Sequence, residues 1–325
     1  MHTVVVLVES DGNTLDFVRD DGTTLGTFKY PSGVSETASA AAAGRYWYVS
    51  GSANHLHSVT PDGMDTDVAS LADLDGGNLI NGLAVSSDGQ RWAWGVLQNP
   101  GSSNARTWID VGGMGVATKS AIAEATNNPV LIPLAWTLRG IVVSRSNTGI
   151  GGCCYLTPET AGREVMLVDP GTLMLVNTFG GCASSFVSAA GSFACAGSTI
   201  QVHTAGGSDV AVAAQPPVSQ VGWAIVDDAG KRVVFAVIHS TGGGGDGPYV
   251  IDTEQGDLTT RTVTKLFDQA TPDYVLPDGR IIVSSAPQAP NSGQGYGASL
   301  RSSSGSSLQL GPQGSQFRTA FPLSS

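Results

Sequence analysis

The chain has 325 residues, 13% of them charged, with a formal net charge of −11 and 43 glycines. A surface of that sign repels phosphate backbones, and no basic patch with interleaved aromatics occurs, which argues against nucleic-acid binding. No apolar run approaches the roughly 20 residues of a membrane span, and no segment sustains a 3.6-residue apolar period, so almost no helix is expected.

In chain order, MHTVVVLVES opens as a lone apolar strand, and a strand pair around a Gly turn follows, LDFVRDDGTTLGTF (15–28). A second kind of hairpin then appears, ASAAAAGRYWYVSG (38–51), followed by another Gly-turn pair, LHSVTPDGMDTDVA (56–69). The two kinds alternate thereafter. LAVSSDGQRWAWGV (83–96) precedes RTWIDVGGMGVATKS (106–120), and LAWTLRGIVVSRS (134–146) precedes VMLVDPGTLMLVNT (165–178). FVSAAGSFACAG (186–197) is followed by IQVHTAGGSDVAVA (200–213), and WAIVDDAGKRVVFAVI (223–238) by YVIDTEQGDLTTRTV (249–263). YVLPDGRIIVSS (274–285) and ASLRSSSGSSLQL (298–310) complete the series, and FRTAFPLSS closes the chain.

Four strands recur at a spacing of roughly 40–50 residues, the sequence signature of a β-propeller. The Gly-turn pair occurs seven times and the other hairpin six times. The missing hairpin is divided between the chain ends. The expected fold is all-β, a single domain over 1–325: a seven-bladed β-propeller of four-stranded antiparallel blades. Strands from both termini close the ring, the one near Phe317–Leu323 pairing with Thr3–Val8 and removing free sheet edges.

Cys153, Cys154, Cys182 and Cys195 are the only cysteines, confined to blades four and five. Placed at one end of adjacent blades, they are expected to form two disulfides, Cys153 and Cys154 each reaching Cys182 or Cys195, in an oxidising compartment. The expected location is therefore extracytoplasmic: secreted, periplasmic or surface-anchored, with a leader or anchor absent from this chain.

Turns between first and second strands share one propeller face with those between third and fourth. Here they are minimal, as in SSDGQ, DDAGK and PDGR. The long segments 98–105, 145–163, 239–248 and 286–297 belong to the other face, the expected working surface. Residues leading into the blades on that face, Asn81, Asn128, Gln220, Asp273 and Arg318, are expected to line the channel mouth and meet a small polar ligand or a peptide. His239 and Asp246 share a long loop and form a candidate acid/base pair. Catalytic residues cannot be assigned, since no GxSxG elbow occurs.

His55 and His57 fall on one strand face, since the side-chain period is two. With no third ligand visible, they read as ordinary strand histidines. Neither a metal nor a cofactor is expected.

The hairpins YVLPDGRIIVSS and LAVSSDGQRWAWG resemble the PDG/SDG hairpins of TolB-type and YVTN-type bacterial propellers, which are WD-repeat-like in architecture. That resemblance implies the fold and is silent on activity. The expected function is a non-enzymatic binding propeller recognising a protein, peptide or glycan. The alternative is a propeller hydrolase, lactonase or lyase with a polar site at the channel mouth.

Overall fold

The computed structural model describes residues 2–323 apart from 35, 52–53, 72–77, 101, 126–128, 148–163, 183, 185, 198, 216–219, 241–248 and 286–296. Among the described residues there is no helix, only strands and turns. Blade one holds β1 (Thr3–Val8), β2 (Thr14–Arg19) and β3 (Thr24–Lys29), with a strand from the chain end innermost. Blade two holds β4 (Glu36–Ala42), β5 (Arg45–Ser50), β6 (His55–Val59) and β7 (Asp65–Ser70). Blade three holds β8 (Asn78–Val85), β9 (Arg91–Gln98), β10 (Arg106–Gly113) and β11 (Val116–Ala125). Blade four holds β12 (Pro129–Thr137), β13 (Gly140–Asn147), β14 (Glu164–Val168) and β15 (Leu175–Gly180).

Blade five comprises β16 (Phe193–Cys195), β17 (Ile200–His203) and β18 (Asp209–Val212). Blade six holds β19 (Gln220–Val226), β20 (Arg232–Ser240), β21 (Tyr249–Asp257) and β22 (Val263–Phe267). Blade seven holds β23 (Ala270–Val275), β24 (Ile281–Ser285), β25 (Ala298–Arg301) and β26 (Ser307–Gln309). The last strand, β27 (Gln316–Pro322), pairs antiparallel with β1, Thr3 opposite Pro322 and Val8 opposite Gln316. The fold is thus the seven-bladed, terminus-closed β-propeller expected from the hairpin arithmetic. One detail differs: the inner strand of blade five shrinks to a single bridge, Val187 to Phe193.

Alternation along each strand explains the packing. Both faces of a middle strand are buried, so β1 reads TVVVLV and is apolar from Val4 to Val8. Each seam between adjacent blades encloses its own apolar cluster, seven in all. The seam between blades two and three carries Trp47, Trp92 and Trp94, each at most 3% exposed. Those tryptophans are packing residues, as a sheet-on-sheet contact requires.

Where the seams are tightest, glycine is obligatory. A Cβ on Gly95 of β9 would collide with the carbonyl oxygens of Leu131 and Asn81.

Candidate functional site

In six blades the innermost strand contains one residue more than its partner can match. The extra residue is Arg318 in blade one, Thr37 in blade two and Gly82 in blade three. It is Leu134 in blade four, Trp223 in blade six and Asp273 in blade seven. A β-bulge leaves its extra residue out of the ladder and turns the side chain in a new direction. Gly82 takes φ +71°, a conformation that costs glycine little. The bulges form an irregular ring on the strands that surround the central channel. Two residues expected at the mouth, Arg318 and Asp273, are themselves bulge residues, and a third, Asn81, precedes one.

Inside this ring lies a cavity of about 630 Å³. Its wall is built from inner strands: Ser39–Ala42 of β4, Leu134–Thr137 of β12, and β27 from Phe317 onward. The bridge segment of blade five adds Phe186–Ala189, and blade seven adds Tyr274. Alanines and aromatics dominate, and Arg318 is the charged group of the lining. The cavity also reaches the short turns at Ala43–Gly44 and Ser87.

Arg318 is not free. Its guanidinium pairs with the Glu36 carboxylate at the start of β4. Glu36 also accepts a hydrogen bond of 2.5 Å from the Tyr30 hydroxyl and another from Tyr46. Burial pushes the Tyr30 phenol up to about 12 and holds Tyr46 well above its ordinary value. Both phenols therefore stay protonated and donate to the carboxylate. This cluster locks blade one against blade two at the channel. Sequence reading missed Glu36, Tyr30 and Tyr46 because their partner, Arg318, lies almost a whole chain away.

Asp273 does not meet Arg318. Its carboxylate accepts a 2.5 Å hydrogen bond from the Ser284 hydroxyl. Burial raises its pKa to about 7, and the hydrogen bonds from Ser284 pull only partly the other way. Among the described residues, the Nδ2 of Asn81 is buried with no hydrogen-bond partner. Neither Asp273 nor Asn81 lines the cavity itself. The backbone of Gln220 opens β19 opposite Ile238, and Asn128 lies outside the described residues.

His239 is 3.3 Å from Asp252, which Lys265 also approaches at 2.8 Å. Its supposed partner Asp246 lies outside the described residues. Of the long loops, 98–105 is described except at 101, whereas the other three fall largely outside. Among the described residues no three of His, Cys, Asp and Glu gather as a metal-binding group. No described helix is long and apolar enough to cross a membrane.

The cysteine connectivity differs from expectation. Cys182 is bonded to Cys195, with 4.7 Å between their Cα atoms. This excludes the pairing of Cys153 and Cys154 with Cys182 and Cys195. The local bond prevails because the chain turns back between β15 and β16, leaving both cysteines in the seam of blades four and five. Cys153 and Cys154 lie outside the described residues. The bond brackets the bridge segment of blade five, which among the described residues has the least strand pairing of the inner segments.

No family model matches the chain, and no curated protein matches its sequence. Solved structures do match. A protein of unknown function from Desulfotomaculum acetoxidans is 11% identical and superposes with a TM-score of 0.56, covering 97% of this chain and 98% of that one. An acylaminoacyl peptidase from Pyrococcus horikoshii is 12% identical at a TM-score of 0.51, over 86% of this chain and 46% of the peptidase. A streptogramin B lyase is 11% identical at a TM-score of 0.48, covering 86% and 89%. The first two, with TM-scores above 0.5, share the fold of this chain and at 11–12% identity show nothing more, so activity has to be argued from its own residues.

Proposed function

We propose that the protein is a non-enzymatic, extracytoplasmic binding propeller that holds a protein, peptide or glycan ligand at its central channel, in the cavity that reaches the short turns at Ala43–Gly44 and Ser87. The observation that carries the reading is the channel wall. About 630 Å³ is enclosed by alanines and aromatics, and the charged groups around it are engaged, Arg318 with Glu36 and Asp273 with Ser284. A concave apolar wall with few placed polar groups binds apolar ligand atoms and orients them at the rim. Among the three ligand classes this favours a peptide or protein offering an apolar side chain. The Cys182–Cys195 bond supports an oxidising compartment. The PDG/SDG hairpins support kinship with TolB-type or YVTN-type propellers.

Binding should fall when the channel is filled by Ala135→Trp or its rim is stripped by Arg318→Ala. It should persist in Asp88→Ala, since Asp88 only caps its own turn through Ser86 and Gln90. Equal loss in all three would place the site elsewhere.

A second reading, a hydrolase, lactonase or lyase, is favoured by one observation. Asp273 is the bulge residue on the inner strand of blade seven, and burial pushes its carboxyl up to about 7, which suits proton exchange at neutral pH. Turnover in a lactone and glycoside panel, abolished by Asp273→Asn, would establish it.

A further inference from the structure

The face of β6 turned towards blade one carries an arrangement that the sequence alone does not reveal. Leu56 is buried in the seam with blade three, so His55 and His57 stand on the opposite face. Each ring is held by a carboxylate from β7. His55 Nδ1 lies 2.8 Å from Asp67 and His57 Nδ1 lies 3.2 Å from Asp65. Tyr48 fixes the second ring further. It stacks on His57 at 4.7 Å and 12°, and its hydroxyl donates to the same Asp65 oxygen at 3.2 Å. A carboxylate oxygen can only accept, so Nδ1 of each neutral ring carries the proton and Nε2 keeps its lone pair. Carboxylate-held imidazoles of this kind are the usual form of histidine metal ligands.

We propose that His55 and His57 form a surface site for one borderline-soft divalent cation, such as Zn²⁺ or Cu²⁺, ligated through the two Nε2 atoms. The ring centroids are 6.4 Å apart. A metal bound at about 2.0 Å from each nitrogen brings imidazole centroids to roughly 5–6 Å, so the two rings turn their Nε2 atoms toward one ion on binding. His55 and His57 are 37% and 18% exposed, so an ion can reach them. Asp65 and Asp67 favour a cation there. Every histidine of the chain lies near an aspartate, but His2, His203 and His239 each stand without a second histidine beside them. Two protein ligands leave coordination positions for water or for a donor atom of a bound partner.

The test is isothermal titration of untagged, chelator-stripped protein with zinc chloride and with copper(II) chloride. One ion should bind per chain. His55→Gln and His57→Gln should each weaken it at least about tenfold, and Asp67→Asn by about 10–100-fold. His203→Gln should bind as the parent does. Electron paramagnetic resonance of the copper-loaded parent, which needs no variant to fold, should show two coordinated imidazole nitrogens. Absence of saturable binding, binding that survives in the double variant His55→Gln/His57→Gln, or a copper spectrum without imidazole coupling would overturn the assignment.

Discussion

Val5 of the first strand stands opposite Ala320 of the last, so residues 315 positions apart in sequence share one antiparallel ladder. The next residue along, Phe321, is only 3% exposed and packs with Val4, Val6 and Tyr46 across the seam of blades one and two. Ring closure and seam packing therefore meet at one side chain. Phe321→Ala is expected to destabilise the protein by about 3–5 kcal/mol, read as a lower midpoint in urea denaturation. A change below about 1 kcal/mol would mean that the closing strand contributes little.

The Cys182–Cys195 bond closes a loop of 13 residues' separation around the weakest inner segment. Its removal by Cys182→Ser/Cys195→Ser is expected to cost about 3 kcal/mol. Peptide mapping under non-reducing conditions checks the pairing directly. A fragment joining Cys153 or Cys154 to Cys182 would contradict it.

Gly95→Ala is expected to cost about 1–3 kcal/mol, because the added methyl meets backbone carbonyls from two blades and neither can retreat without breaking its ladder. Gly115→Ala is the useful comparison for a turn where a Cβ meets no neighbouring atom. It strains a positive φ, of 64°, whereas Gly95 is not at positive φ. Thermal denaturation of both separates the cost of crowding from the cost of backbone strain.

Much of this fold was legible because tight turns have strong chemistry. Gly89 and Gly279 sit at positive φ within SSDGQ and PDGR, and the alternation around such turns gave the blade count. The bulges were not legible. An extra residue in a strand carries no compositional mark, so Asp273 and Arg318 could be placed near the mouth but not recognised as leaving the ladder. The Arg318–Glu36 pair was missed because it joins the last strand to the second blade. The shortened inner strand of blade five was hidden because FVSAAGSFACAG alternates as well as its neighbours do. The proposed role of His55 and His57 depends on Asp65 and Asp67, whose register opposite β6 only the structure supplies.

Asp273 gives a pH signature. Its pKa is raised in the folded protein to about 7 from an ordinary 3.8, so the folded state binds the proton more tightly than the unfolded chain. The associated stability is full below about pH 4 and is lost as pH rises through about 7. Asp273→Asn should remove this slope and exceed the parent in stability at pH 8 by an amount on the order of 2 kcal/mol. Denaturation midpoints at pH 5 and pH 8 decide the matter. Parallel pH profiles for the two proteins would show that Asp273 titrates normally.

On the proposed function the apolar channel holds the ligand, and the affinity of peptides enriched from a random library on the parent protein, measured again on Ala135→Trp, tests this most directly. Ala135 lines the cavity, and the indole would occupy the space an inserted side chain needs. The expected result is saturable binding to the parent and to Ala135→Ser, weakened at least about tenfold, or roughly 1.4 kcal/mol, in Ala135→Trp. Equal affinity for the parent and the filled channel would contradict the claim.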